Sequence, residues 1–411
     1  MFVMESAIYN AAEKLGITPK AIQEKNLIQD GETFYYGQKA ENSQASPSWK
    51  SLSEKFDLEL LEREVEDYNS KEKMYKKGLA YMPICFGISF TNSALNQASA
   101  LVHVYTDGSI GVSTAAVEMG QGVNAKIIQV VARTFSVDPA RVKIESTNTT
   151  RIANTSATAA SSGADLNGNA ALLASNNILK RLKAVASEEL NVEIESISIR
   201  EENVYADDKK TNLDWNSLIS KTYWKRISLS SQAYYATPDI YFDRDINQGS
   251  PFTYHVYGAS VSVVKLNCLL GTYEIESVKI VHDYGESLQP KVDLGQLEGG
   301  LAQGIGWLTM EEIKHNEDGV LLSNTLSTYK IPDIYGAPQS IESFPLDNSK
   351  NRFGPFNSKA IGEPPLMYAI GTYFAIFNAM KQFRPDIDLD FTAPLTHERV
   401  LTSLYQSVAA E

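Results

Sequence analysis

The chain has 411 residues, 43% of them hydrophobic and 10% aromatic, with a formal net charge of −13. That length and apolar content sustain two or three compact lobes and exclude disorder as the default. The acidic balance argues against nucleic acid or an anionic membrane as a general partner, since either would reward a basic surface. Cys85 and Cys268 are the only cysteines, which leaves no disulfide framework, no thiolate set for an iron–sulfur cluster and no cysteine-based zinc site, and fits a reducing cytoplasm. Met1-Phe-Val-Met runs at once into Glu5 and a mixed polar stretch, which is neither a signal peptide nor a spanning segment.

Residues 5–26 predict two helices, the second opened by Thr18-Pro19, and residues 30–50 are polar and read as loop. From Asp57 to Lys77, Leu58, Leu60, Leu61, Val65 and Tyr68 form one apolar stripe on a charged helix. These helices bury little by themselves, so they are expected to pack against material further along the chain or outside it. At Gly78 the pattern changes to strands over Leu79–Thr91, Ala98–Tyr105 and Ile110–Ser113, the last two joined by an Asp107-Gly108 turn.

Next comes Glu118-Met-Gly-Gln-Gly-Val-Asn124, leading into a helix with Ile127, Ile128, Val131 and Phe135 on its buried side. Gly120 and Gly122 around Gln121 offer bare backbone amides and one side-chain amide to a ligand. Neither the lysine of a Walker loop nor the third glycine of a dinucleotide fingerprint is there, and a tight turn reads equally well. Asn154 to Asp165 is small and hydroxyl-rich and opens a long helix through Leu172, Leu173, Ile178 and Leu182. It is either a donor set for an anion or an ordinary capped loop. Two such segments, each opening a helix, together favour an anionic ligand with several contacts.

Residues 201–222 are charged and carry little information. From Thr253, alternation through Tyr254, Val256 and Gly258, and then from Glu274 to Val281, predicts a long hairpin turned near Leu270-Gly271. The fold class is therefore α+β, with mixed or antiparallel sheets and packed helices. Gln296 to Gly306 predicts a helix containing Gly299, Gly300, Gly304 and Gly306. Each glycine costs about 1 kcal/mol relative to alanine, so either a tightly packed neighbour or a ligand must approach the backbone. His103, His255, His282, His315 and His397 show no ligand spacing and read as structural. The last element is Ser358-Lys-Ala-Ile-Gly-Glu-Pro-Pro-Leu366, which runs into an apolar segment ending at Met380. Pro364 disfavours the helical conformation at Glu363, and prolines suit a helix opening. Glu363 thus belongs at a helix mouth, as a base if the site is dry or as a cap.

Four stretches stand in a telling order: Phe86-Gly-Ile-Ser-Phe-Thr91, Glu118-Met-Gly-Gln-Gly122, Thr158-Ala-Ala-Ser161 and Gly362-Glu-Pro-Pro365. With these spacings they resemble the molybdenum-binding part of the xanthine dehydrogenase and aldehyde oxidase family. The likeness runs from about Gly78 to near the C-terminus, and takes in Val292-Asp-Leu-Gly-Gln296 and Ser327-Thr-Tyr-Lys-Ile-Pro332. It implies a molybdopterin cofactor, in mono- or dinucleotide form, held by Gln121, Thr158, Ser161 and Gln296 with Gly120 and Gly122. No side chain ligates the metal directly. Ala159 and Ala160 would lie close to the substrate, Phe90 would stack on a flat purine, Thr91 would hydrogen-bond it, and Glu363 would be the catalytic base. Implied chemistry is hydroxylation of an electrophilic ring carbon with water-derived oxygen, the metal carrying the redox step. Oxidation of an aldehyde or another N-heterocycle is the alternative within the family, and a non-catalytic remnant serving as an interaction module is the alternative outside it. The chain departs from the animal xanthine enzymes at Gly163 and Ala164, where they carry hydroxyls.

Met4 to Asn26 resembles the segment downstream of the family's glycine-rich loop. On that likeness residues 1–77 are the helical tail of a first molybdenum-binding lobe, and 78–411 are the second cofactor-binding domain. The implied partners are the N-terminal half of the molybdenum subunit, iron–sulfur and FAD subunits or domains, and a small-molecule substrate, with no nucleic acid and no membrane. Without them the chain is expected to be inactive and empty of cofactor.

Overall fold

In the computed structural model, residues 1–145, 147–152, 155–387 and 391–405 are described, so Asn154 of the hydroxyl-rich segment lies outside the described residues. Helix α1 (Phe2–Leu15) ends on left-handed Gly16, and α2 (Pro19–Lys25) is opened by the Thr18 hydroxyl, which accepts from the Ala21 amide. Helix α3 (Ala45–Lys55) begins inside the expected loop. Its Trp49 and Leu52, three residues apart, bury against a sheet, and that packing outweighs the polar composition that read as loop. Helix α4 (Leu58–Lys71) stops short of the expected Lys77. The Asn69 side chain accepts from the Lys77 amide (2.7 Å) and donates to the Lys77 carbonyl (2.9 Å), holding Lys77 in an extended strand.

Strands β1 (Tyr75–Ile88), β2 (Gln97–Val104) and β3 (Ile110–Thr114) precede helix α5 (Val123–Phe135), short β4 (Val142–Ile144) and long α6 (Gly163–Leu190). The uninformative stretch after Arg200 is a small meander, β5 (Ile197–Arg200), β6 (Asn203–Ala206) and β7 (Lys209–Asp214), followed by α7 (Trp215–Trp224). Then come β8 (Ser230–Ala236), β9 (Tyr241–Asp243), β10 (Gln248–Ser250), β11 (Tyr254–Asn267), β12 (Thr272–His282), α8 (Pro290–Thr309), β13 (Ser340–Pro345), α9 (Ala369–Phe383) and α10 (His397–Tyr405).

One four-stranded sheet has the order β1-β11-β12-β13 and another β4-β3-β2-β8. In each, one parallel pair (β12 with β13, β3 with β4) joins antiparallel neighbours, so both sheets are mixed. The first sheet buries Met82, Val264 and Ile280 under Leu301 of α8 and Phe374 of α9. Helix α1 joins this core through Tyr9, stacked on Phe374 at 3.9 Å between ring centroids. Its opposite face carries Trp49, Leu52 and Phe56 against Tyr81 and Val261. The second sheet packs Val102 and Val112 against Ile127 and Phe135 of α5, Ile178 of α6 and Trp215 of α7. On α6 Leu173 is 42% exposed, because alanines 170, 171 and 174 form the face that meets the sheet.

The two cores are riveted together at one seam. Lys126 of α5 and Asp293 of α8 form a buried ion pair at 2.5 Å, and the Arg133 guanidinium donates to the carbonyls of Ser287 and Leu288. The Glu118–Gly122, Thr158–Ser161, Val292–Gln296 and Gly362–Glu363 segments meet along this seam.

Candidate active site

The loop that carries Glu363 is fixed residue by residue. Asn351 donates to the Ser358 carbonyl (2.7 Å), and the Lys359 amide donates to the Tyr284 carbonyl (2.9 Å). The buried Lys359 ammonium lies between the Asp283 carboxylate (2.5 Å) and the His255 carbonyl (3.1 Å). Burial, reinforced by Lys359, lowers the imidazole of His255 to about 4 and that of His282 to about 3, so both rings are neutral in this wall. Glu363 has φ −99° and ψ −37°, inside the helical region that Pro364 was expected to disfavour. A 3-10 turn, Pro364–Tyr368, follows, and the Glu363 side chain makes no capping hydrogen bond to it. The carboxylate turns instead to Ser161. That hydroxyl donates to Glu363 Oε2 (2.8 Å) and accepts from the Glu363 amide (2.8 Å), across a separation of 202 residues.

Close packing makes this meeting possible. A Cβ at Gly362 would stand 3.0 Å from Ser161 Oγ. On α8, a Cβ at Gly304 would stand 2.3 Å from the Leu366 carbonyl oxygen, and one at Gly300 would stand 3.0 Å from Pro365. At Gly300 and Gly304 the neighbour that approaches is the Pro365-Leu366 turn behind Glu363; at Gly306 it is Pro332 and Glu311, and Gly299 has no neighbour within 4 Å. Ser161 and Ala160 both adopt left-handed backbone, with φ of 55° and 53°. Such conformations cost non-glycine residues energy and persist where surrounding bonds hold them; here the two hydrogen bonds between Ser161 and Glu363 do so.

The glycine loop differs from expectation. Its amides are not bare: Glu118 Oε1 accepts from the amides of Gly120 (3.0 Å) and Gly122 (2.9 Å), and Glu118 Oε2 accepts from Asn124 (3.0 Å). Burial alone would raise the Glu118 carboxyl, but these amides hold it below its usual range. Gln121 is likewise turned inward, accepting from the Met119 amide (2.6 Å) and donating to the Val117 carbonyl (2.7 Å). Thr158 accepts from the Val117 amide (3.0 Å), which ties the hydroxyl-rich segment to this loop. A Cβ on Gly122 would strike Val292 at 2.4 Å, bringing the start of α8, and with it half-buried Gln296, alongside.

Ala159, exposed, and half-buried Ala160 directly precede Ser161 in the chain. Phe90, half-buried, and Thr91, exposed, follow the end of β1. Asn96 fixes this arm: its side chain accepts from the Phe90 amide and donates to the Phe90 carbonyl, both at 2.9 Å. Asn96 and Asp283 carry no sequence motif, and Glu118 and Lys359 stand inside motifs without a role assigned to them. Only Glu118 left a signal in the sequence, a carboxylate just ahead of a glycine pair and a helix start.

Residue chemistry along the seam fits a polar, multiply hydrogen-bonded group. Buried Asn124 Oδ1 and Thr155 Oγ1, one in each of the two loop segments, have no hydrogen-bond partner. Among the described residues no group of three or more His, Cys, Asp or Glu is placed to hold a metal ion. Residues 51–338 match the model of the molybdopterin cofactor-binding domain. The chain belongs to that family. Molybdopterin is therefore its cofactor, and the iron–sulfur and FAD groups of such enzymes reside outside a domain of this kind.

Relatives of the family say the same. The chain is 34% identical over 406 residues to a xanthine dehydrogenase/oxidase of Gallus gallus, covering 97% of this chain and 28% of that one. It is also 34% identical over 422 residues to xanthine dehydrogenase 1 of Arabidopsis thaliana, covering 100% and 29%. The chain thus spans under a third of the length of the curated relatives it matches. In fold it is similar to quinoline 2-oxidoreductase from Pseudomonas putida 86, with TM-score 0.85 and 22% identity over 98% of this chain and 51% of that one. The aldehyde oxidoreductase from Desulfovibrio desulfuricans matches with TM-score 0.79 and 20% identity over 98% and 40%. Among the described residues no helix is long and apolar enough to cross a membrane.

Proposed function

We propose that this chain supplies the catalytic base and one side of the pterin cradle in a molybdenum hydroxylase, and that the assembled enzyme oxidises a purine ring carbon with oxygen drawn from water. The observation that carries this reading is the double hydrogen bond between Ser161 and Glu363, which joins a cofactor-segment hydroxyl to an exposed carboxylate with no capping duty. When bound, molybdopterin supplies the metal that takes up the electron pair. Glu363 removes a proton from the attacking water-derived oxygen. Gln121, Thr158, Ser161 and Gln296 would hold the pterin and its phosphate beside Gly120 and Gly122, with Gln121 exchanging its bonds to Met119 and Val117, and the two glycine amides their bonds to Glu118, for the ligand. Since the Ser161 proton already goes to Glu363, this residue meets the cofactor through its remaining lone pair or its backbone. Phe90, its backbone pinned by Asn96, stacks on the flat ring; Thr91 hydrogen-bonds it, and the small side chains of Ala159 and Ala160 leave room for it.

In this reading residues 1–77 are the tail of a first lobe and 78–411 the second cofactor-binding domain. The partner is the rest of a molybdenum subunit, with iron–sulfur and FAD portions carrying electrons away. Exposed Val3, Met4 and Leu15 on and beside α1, and Leu326, Ile334 and Tyr335 after α8, give such a partner apolar surface. The two free cysteines suit a reducing cytoplasm. A different N-heterocycle, or an aldehyde, is the second reading, favoured by the substrates named for the two structural neighbours.

Glu363→Gln in the assembled, molybdenum-loaded enzyme tests the assignment. General-base catalysis is worth about 10²–10⁴-fold, and turnover should fall by that much while molybdenum content and melting temperature stay near normal. Retained turnover in a fully loaded variant removes Glu363 from the mechanism.

A further inference from the structure

Beneath the Ser161–Glu363 pair runs a second connection between the same two segments. Tyr254 opens β11, in register with Ile88 of β1, two residues before Phe90. Its phenol oxygen accepts from the Ala360 amide at 2.9 Å and donates to Asp165 Oδ2 at 2.5 Å. Ala360 lies three residues ahead of Glu363 in the same loop, and Asp165 sits buried in the first turn of α6, four residues after Ser161. One side chain therefore meets the strand leading to the Phe90 arm, the helix that follows the hydroxyl-rich segment, and the loop that bears the base. Burial lifts the Asp165 carboxyl to about 7, against the opposing pull of the Tyr254 phenol and Lys126, and in either charge state it accepts the phenol proton. Both capacities of the phenol are thus committed. Removing the hydroxyl alone would leave the Ala360 amide and the Asp165 carboxyl without this partner, while the ring stays packed near Ile88 and Val256.

We propose that Tyr254, oriented by Asp165, is a positioning residue for Glu363: it fixes the Ala360 backbone, and so the stance of the base relative to Ser161 and the Phe90 arm. The inference rests on the reading of Glu363 as the base. Lys359 clamps the adjacent residue, but to Asp283 and His255 of the first sheet's own region. Tyr254 and Asp165 instead reach across the seam to α6.

Tyr254→Phe separates positioning from mere stability. In the molybdenum-loaded enzyme, kcat per bound molybdenum should drop roughly fivefold to tenfold, the scale of one hydrogen bond, with KM unchanged within about twofold. In the full chain without cofactor, hydrogen exchange of the amides from Lys359 to Glu363 should quicken by a similar factor. Asp165→Ala should reproduce both effects. Asp165→Asn, whose amide oxygen still accepts from the phenol, should restore them. Unchanged kcat per molybdenum, a loss confined to KM, or an Asp165→Asn variant as impaired as Asp165→Ala would overturn the proposal. Should Tyr254→Phe fail to fold, the two Asp165 variants decide the matter alone. Should Glu363→Gln prove active, the base assignment falls, and the exchange measurement still decides separately whether Tyr254 holds the loop: quickened exchange supports the tie, unchanged exchange overturns it.

Discussion

The turn behind Glu363 presses on α8 at Gly304, and a pair of glycine substitutions on that one helix measures the pressure. At Gly299 an added Cβ meets nothing within 4 Å, whereas at Gly304 it would stand 2.3 Å from the Leu366 carbonyl oxygen and 2.7 Å from the Ala369 Cβ. Gly299→Ala should therefore stabilise by the ordinary helix gain of about 1 kcal/mol. Gly304→Ala has the same gain, but the turn must retreat by about 1 Å to reach normal contact, and overpacking of this kind costs about 1–3 kcal/mol. The two variants should differ by about 1–3 kcal/mol, with Gly304→Ala the less stable, in urea midpoints measured side by side. Because the retreating turn carries Glu363, Gly304→Ala should also slow the loaded enzyme where Gly299→Ala does not. Equal midpoints for the two would refute the account of why this helix is rich in glycine.

Phe90→Ala should raise the dissociation constant for a flat purine by roughly tenfold, since an aromatic stack is worth about 0.5–1.5 kcal/mol beyond area burial; unchanged affinity returns Phe90 to a packing role. Asp165→Asn should show a pH signature. Burial lifts the folded carboxyl to about 7, well above the usual aspartate range near 4, so its contribution to stability is fully present below about 4 and is lost as pH rises to about 7. Asparagine does not titrate, so the variant's melting temperature relative to the parent should improve between pH 5 and pH 8, and a difference that stays flat would place the carboxyl in its ordinary range.

Local chemistry made much of the architecture legible. The Asp107-Gly108 turn, the Leu270-Gly271 hairpin and the apolar stripe of α5 depend on neighbouring residues, and each stands where expected. Helix α3 was not legible, because its inward face is Ala45, Ser48, Trp49 and Leu52, only two of them large and apolar, and what these bury against is a sheet surface made of Tyr81 in β1 and of β11 and β12, more than two hundred residues away. The end of α4 depended on Asn69 reaching forward to Lys77, a side-chain choice that helix periodicity does not encode.

At the site, the motif segments could be read but their pairings could not. A glycine pair before a helix announces a strained loop open to an anion, and the anion that fills it is the chain's own Glu118, two residues before the first glycine. A carboxylate between glycine and two prolines could have been a cap, and only the hydroxyl of Ser161, 202 residues away, draws it off the helix. The physical reason is common to both cases. A hydrogen-bonding group takes whichever partner the fold delivers, so residue type and spacing specify the capacity to bond, while the partner is chosen by packing between distant segments such as Leu366 on Gly304. The residues that set the geometry of Glu363 consequently include Asp165, Tyr254 and Lys359, to which the sequence assigned no such role: Tyr254 and Asp165 are satisfied only once the two cores have met, and Lys359 is held by Asp283 and His255.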